Sequence, residues 1–243
     1  MLGLGNSLAR GGVLSGLSNN YSLSFDGTND YVAAGNDSSL QMGTDDFSIF
    51  AWVKRSAVDA HHTIYGYGDS DKPRYYLRIK NNNKLQIYLA AASLTLDLVG
   101  SADIDTGWHF VGFTWDRSED DGFQFYVDGS ADGSGQDGNN VVSTSLSHAS
   151  VGAKLGVRPD LSAGFNGNLD EISVWDTVLS SSSVSALYNS GVPTDLQADA
   201  NASNLVAWWR FEEGSGTSAE DSSDNSNTGT LTNDASYSTT VPT

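Results

Sequence analysis

The chain contains no cysteine, so disulfides, thiolate metal sites and cysteine nucleophiles are all excluded. Only four histidines occur in 243 residues, which leaves little from which to build a Ser/His/Asp arrangement. Two of them, His61 and His62, are adjacent on an expected strand, where the pleat sends neighbours to opposite faces, so they read as ordinary polar residues. Basic residues are scarce as well: 12 Lys and Arg stand against 30 Asp and Glu, a formal charge of −18. A phosphate backbone would be repelled by such a surface, so nucleic acid is not an expected partner. No run of about 18 apolar residues occurs, and no membrane insertion is expected. The start, Met1 to Gly12, lacks a basic segment ahead of an apolar run, which predicts no signal peptide.

What the chain does have is 26 glycines, with Asn, Asp and Ser punctuating short aromatic and β-branched runs and a single convincing helix pattern. That composition predicts an all-β fold, and β-sandwiches of this length commonly form one unit. Residues 1–19 are rich in Gly, Ser and Leu, too apolar for an ordinary disordered tail and too glycine-rich for a helix. They are expected to be an arm that orders against a partner, ahead of one domain over 20–243.

The organising stretch is Gly167 to Ser180, which alternates as a central strand and carries Asp170 and Glu171 at its entrance. Tyr21 to Val32 is similar in kind, with Asp26 beside Gly27. Two short strands that each bring a carboxylate beside a glycine suggest a pair holding a cation between them. Phe47 to Arg55 is another strand, with Phe50 and Trp52 on one face. Tyr75 to Lys80, Asn81 to Asn83 and Lys84 to Leu89 form a hairpin, since Asn tolerates positive φ. Leu94 to Val99, Trp108 to Trp115 and Phe123 to Val127 continue the meander. Ser180 is placed to cap a short helix in which Val184, Leu187 and Tyr188 share a face, and the helix is expected to plug one end of the sandwich. Phe25, Trp52, Phe110, Val127, Ile172, Val174 and Trp209 are expected to share one core.

Five segments, F-D-G-T-N-D-Y-V from Phe25, F-S-I-F-A-W-V-K from Phe47, G-W-H-F-V-G-F-T-W-D from Gly107, F-Q-F-Y-V-D-G from Phe123 and G-N-L-D-E-I-S-V-W-D-T-V-L-S from Gly167, occur in that order. Together they resemble the laminin-G-like, concanavalin A-like jelly roll, and the last is similar to a pentraxin strand. The resemblance implies a jelly-roll β-sandwich of two antiparallel sheets with one short helix. Asn204 to Leu231 looks like the opening strand and turn of that family, displaced to the end of the chain. Left alone, its large apolar side chains would forgo about 1.5–3 kcal/mol each, so 204–231 is expected to supply a circularly permuted strand, with the truncated start of a second repeat as the alternative.

The fold hosts lectins, glycoside hydrolases and adhesion modules alike. A laminarinase-like hydrolase needs an E-x-D-x-x-E string, absent here, and adjacent Asp170 and Glu171 are expected on opposite faces, so no enzyme is predicted. The resemblance implies a structural Ca²⁺ held by Asp26 and Asp170, with a pentraxin-like rim site at Asp69, Asp71 and Asp160 as the alternative. Asp221 to Gly229 mimics an EF-hand loop in part, but Asx turns explain it equally. Tyr65, Tyr67, Tyr75 and Tyr76 are the candidate glycan-stacking residues, with packing as the competing role. With its acidic surface and apolar arm the chain resembles laminin-G-like proteins of bacteriophage genomes. That resemblance implies a virion-surface decoration, fibre or adhesion module, homo-oligomeric, held to capsid or tail proteins by the arm and binding cell-surface glycans. A secreted or cell-surface, extracellular Ca²⁺-dependent carbohydrate-binding module is the alternative.

Overall fold

A computed structural model describes residues 17–58, 60–69, 73–92, 94–135, 144–148 and 150–243. In chain order the strands are β1 (Ser22–Asp26), β2 (Tyr31–Ala33), β3 (Phe47–Arg55), β4 (His62–Gly68), β5 (Arg74–Ile79), β6 (Leu85–Ala91), β7 (Leu94–Val99), β8 (Trp108–Trp115), β9 (Phe123–Val127), β10 (Ser130–Gly135), β11 (Ala153–Leu155) and β12 (Asn166–Trp175). Helix α1 (Ser181–Tyr188) follows, and then β13 (Leu205–Trp209), β14 (Ser218–Ala219), β15 (Gly229–Thr232) and β16 (Ser236–Ser238). All described pairings are antiparallel. They form two sheets, one in the order β10-β9-β8-β3-β12-β1-β16 with β13 also on β12, the other β14-β15-β2-β11-β4-β5-β6-β7.

The sheets pack through the alternate residues of their strands. Leu23 and Phe25 of β1, Ile49, Ala51 and Val53 of β3 and Ile172 and Val174 of β12 meet Tyr75, Leu77 and Ile79 of β5 and Ile87 and Leu89 of β6 in one apolar layer. The other face of the first sheet carries a second layer. Phe50, Trp52, Phe110, Trp175 and Trp208 are buried there beneath Val184 and Leu187 of α1 and the following Leu196. The expected single core is therefore two: Phe25, Ile172, Val174 and Trp209 lie between the sheets with Val127 at their edge, whereas Trp52 and Phe110 lie outside the first sheet. Period 2 separates these sets, because Trp52 is one residue from Val53 and so faces the other way.

Helix α1 is capped as its sequence indicates, the Ser180 side chain accepting from the Ser183 amide at 3.1 Å. It lies across the face of the first sheet, however, and does not plug an end: Tyr188 stacks on Trp52 with centroids 5.8 Å apart. The hairpin turn at Asn81 to Asn83 has Asn83 at φ 67°.

Strand β12 has a divided neighbour. Its first half pairs with β1, from Leu23 opposite Leu169 to Asp26 opposite Asn166, and its second half with β13, from Ile172 opposite Trp209 to Trp175 opposite Leu205. Strand β3 runs along the other side of both halves. Strands from the two ends of the chain thus share one slot. All five residues of β13 are buried, and the Trp209 indole donates to the Asn227 carbonyl at 2.8 Å. Removing so large a buried side chain is expected to cost about 3–5 kcal/mol. Trp209→Ala should lose that much in urea unfolding with the m-value unchanged; a loss within about 0.5 kcal/mol, as at a surface site, would show that β13 is peripheral.

Candidate functional site

Two places in the fold gather chemistry: the junction where β1 and β13 meet beside β12, and the outer face of the second sheet.

At the junction β12 bulges. Asp170 faces Trp52 and Ser173 faces Phe50, so Glu171 and Ile172 together oppose Ala51. Glu171 takes φ 50°, a left-handed conformation uncommon outside glycine. The extra residue turns Glu171 to the same side as Asp170, the side of Trp52 and Trp208, and corrects the expectation that the two carboxyls point apart. Asp170 Oδ2 accepts from Asn19 Nδ2 at 3.0 Å, and its Oδ1 from the Glu171 amide at 2.9 Å. Glu171 accepts from the Trp208 indole and pairs with Arg210 Nε at 3.4 Å. Arg210 Nη2 donates to the Ser18 carbonyl at 2.6 Å, and Glu212 Oε1 accepts from the amides of Asn20 and Tyr21 at 2.8 and 3.0 Å. The entering and departing chains are stitched together over a buried acid pair.

Burial raises the pKa of both acids. For Asp170 the charges of Glu171 and Glu212 push the same way, lifting it well above the usual range. Glu171 is pushed up to about 8 by burial, against the opposing pull of Arg210 and the Trp208 bond. Asn19 Oδ1 is buried with no hydrogen-bond partner among the described residues. A protonated Asp170, with the Asn19 amide turned over, would supply that oxygen with a donor. Beside Glu171 lies a void of about 10 Å³ lined also by Trp52, Phe110, Ser173, Leu187 and Leu196. That is about the room one water needs, and no sugar ring fits it.

The outer face of the second sheet is different. Tyr75, Leu77 and Ile79 point inward, so Arg74, Tyr76 and Arg78 point out, and in β6 Gln86 and Tyr88 do the same. Tyr76 faces Tyr88 across the ladder, and the rings stack with centroids 5.1 Å apart. The guanidinium of Arg78 lies 5.2 Å and that of Arg158 4.8 Å from the Tyr76 centroid, and that of Arg74 lies 5.9 Å from Tyr88. Arg158 comes from the connection between β11 and β12, which folds over β4. A Cβ at Gly66 would come within 2.8 Å of the Val157 carbonyl and 3.0 Å of Pro159, so only glycine admits the loop here. Arg158 pairs with Asp160 at 3.1 Å, and the Gln86 side chain accepts from Arg78 and donates to Asp97.

The predicted site residues divide accordingly. Tyr65, Tyr67 and Tyr75 are fully buried between the sheets, which removes them from the surface where a glycan could stack; burial raises the pKa of all three phenols. Tyr76 is on the outer face, but it too is buried, 3% exposed, under the guanidiniums of Arg78 and Arg158. Asp26 and Asp170 are not brought together: Asp26 is level with Asn166, four residues along β12 from Asp170, about 13 Å at the strand rise. Asp26 instead accepts from the Thr28 amide at 2.6 Å. A shared Ca²⁺, with ligands at about 2.3–2.6 Å, does not fit that pair. Of the rim set, Asp160 is engaged by Arg158 and by Ser162, while Asp71 lies outside the described residues. Among the described residues no three His, Asp or Glu side chains converge as metal ligands would. The loop from Asp221 is held by its own bonds, Asp221 accepting from the amides of Trp208, Ser223 and Asn227. Arg74, Arg78, Tyr88 and Arg158 were not singled out from the sequence, although the alternation of R-Y-Y-L-R-I and L-Q-I-Y-L-A puts the first three on the face opposite the core residues.

The family model described as the Concanavalin A-like lectin/glucanases superfamily matches residues 26–185. No curated protein matches the sequence significantly. Among solved structures, a Bacteroides ovatus protein described as carbohydrate binding aligns at 16% identity with a TM-score of 0.68, over 93% of this chain and 62% of its own. The chain therefore spans about three fifths of that protein. The CBM40 of the Ruminococcus gnavus IT-sialidase aligns at 14% identity with a TM-score of 0.58, over 69% of this chain and 96% of the module. A heptameric SAP-like pentraxin from Limulus polyphemus aligns at 17% identity with a TM-score of 0.50, over 70% of this chain and 82% of its own. Identities this low establish the shared fold.

The buried acids give a pH signature. Between the ordinary glutamate value of 4.5 and about 8, the folded chain keeps a Glu171 proton that the unfolded chain releases, so this group makes stability fall as pH rises. Asp170 acts in the same direction. The melting temperature of Glu171→Gln should fall less than that of the native chain from about pH 5 to about pH 8; parallel curves would mean that Glu171 is ionised throughout.

Proposed function

Because the chain belongs to the concanavalin A-like lectin/glucanase superfamily, we propose that it is a non-catalytic glycan-binding module whose site is the outer face of β5 and β6. The observation that carries this reading is the stacked Tyr76–Tyr88 pair under three arginines, on the one broad sheet face that no described helix covers. The outer face of the first sheet is closed by α1 and Leu196. Sugars bind by laying apolar C–H faces on aromatic rings while hydroxyls meet fixed polar groups. Tyr88, partly exposed, offers ring surface, and Arg74, Arg78, Gln86 and Asp97 surround it.

The neighbours support the reading, one being described as carbohydrate binding and the CBM40 also being known bound to α2,3-sialyllactose. Hydrolysis is disfavoured because the acid pair of the junction, Asp170 and Glu171, is sealed beneath Asn19, Trp208 and Leu196.

Attachment to a virus particle through residues 1–19 is a second reading; residues 1–16 of that arm lie outside the described residues. It is favoured by the anchoring of Ser18 to Tyr21 on Arg210, Asp170 and Glu212, which would pass a tether's pull to β12 and β13. Deleting residues 1–16 should abolish co-sedimentation with particles and leave glycan binding intact; full co-sedimentation of the truncated protein would remove this reading.

On a glycan array the native chain should bind a defined set of glycans, with Tyr88→Ala weakening it about tenfold or more and Glu171→Gln leaving it unchanged. Binding that survives Tyr88→Ala, or fails in Glu171→Gln alone, would place the site elsewhere. Sustained release of reducing sugar would make the protein an enzyme.

A further inference from the structure

The distribution of arginine says what kind of glycan the face takes. The chain has few cations, and its described arginines fall into two groups. Arg55 is buried and donates to Asn83 and to the Ile104 carbonyl, Arg117 is buried and donates to the Gly43 and Thr144 carbonyls, and Arg210 joins Glu171 to the Ser18 carbonyl. These three tie loops and chain ends to the fold. The other three, Arg74, Arg78 and Arg158, stand side by side around the Tyr76–Tyr88 pair, all at least partly exposed. In a chain of formal charge −18, random placement would scatter them.

Holding like charges together is costly without an anion to share. The charge of Arg158 is among the influences that lower the pKa of Arg78, after burial. Two carboxylates already answer part of the charge, Asp160 on Arg158 at 3.1 Å and Asp97 through Gln86. Arg158 Nε is also buried with no hydrogen-bond partner among the described residues. Arginine rather than lysine fits a planar carboxylate, because the guanidinium offers two parallel N–H donors.

Resting on the glycan-binding reading above, we infer that the ligand is a sugar bearing a carboxylate, its carboxylate set between Arg78 and Arg158 over Tyr76 and its ring beside Tyr88. The patch selects for charge on the sugar, and the partly exposed Tyr88 ring supplies contact that a free carboxylate lacks. Two sugar classes carry such a group, terminal nonulosonic acids and uronic acids.

Calorimetric titration of the full chain separates these. The probes are 3′-sialyllactose against lactose, trigalacturonate against its methyl ester, and acetate alone. The charged member of at least one pair should bind about tenfold or more tighter than its neutral partner, and which pair responds identifies the class. Arg158→Gln and Arg78→Gln should each abolish that preference, while Arg158→Lys, which keeps the charge without the fork, should restore only part of it; far-ultraviolet circular dichroism checks that each variant is folded. Equal binding of charged and neutral members with loss in Tyr88→Ala would overturn the carboxylate inference and leave the glycan module standing. Acetate binding as tightly as either charged sugar would instead overturn the glycan reading itself. Retention of the charge preference in both glutamine variants would move the anion site off this face.

Discussion

Two buried carboxyls hold the ends of this chain in one strand slot. Where β1 stops and β13 begins, the backbone beside β12 is interrupted, and backbone groups at such a gap need partners or lose about 1–3 kcal/mol each. The bulge at Asp170 and Glu171 turns both acids toward the gap, and Glu212 adds a third acceptor from the departing chain. Asn19, the amides of Asn20 and Tyr21, Trp208 and Arg210 supply the donors. The left-handed conformation of Glu171 is tolerated because the surrounding contacts determine it. Without this junction β12 would lose a neighbour along half its length, and both apolar layers lean on β12.

That architecture also divides labour between the faces. The first sheet spends its outer surface on packing α1, so its aromatic residues, Phe50, Trp52, Phe110 and Trp208, are enclosed. Among the described residues no helix covers β5 and β6 of the second sheet, and there the aromatic pair is ringed by guanidiniums. Gly66 lets the β11–β12 connection come down on β4 and bring Arg158 over Tyr76. A residue remote in sequence thereby completes the proposed site, whose other members are neighbours in one hairpin.

The strands and the helix cap were legible because period-2 alternation, the Asn turn and Ser180 act locally. The two-layer burial was less so, since Trp52 and Val53 are equally apolar and only the covering helix decides that both faces are dry. Assigning the tyrosines to a glycan site went astray by one register step: Tyr75 and Tyr76 are adjacent, and a strand sends one into the core and the other outward. The acid pair was misplaced for a related reason, because a pleat without a bulge would separate Asp170 from Glu171. Nothing local announces a left-handed glutamate. Arg158 was illegible because its contact with Tyr76 spans the sandwich topology.

The proposed sugar site is the outer face of β5 and β6. Hydrogen–deuterium exchange of the intact chain, with and without the tightest-binding oligosaccharide from an array, tests this directly. Slowed exchange should be confined to β5, β6 and the connection carrying Arg158, with α1 and β13 unchanged. Protection at α1 or around Glu212, with none on β5 and β6, would contradict it.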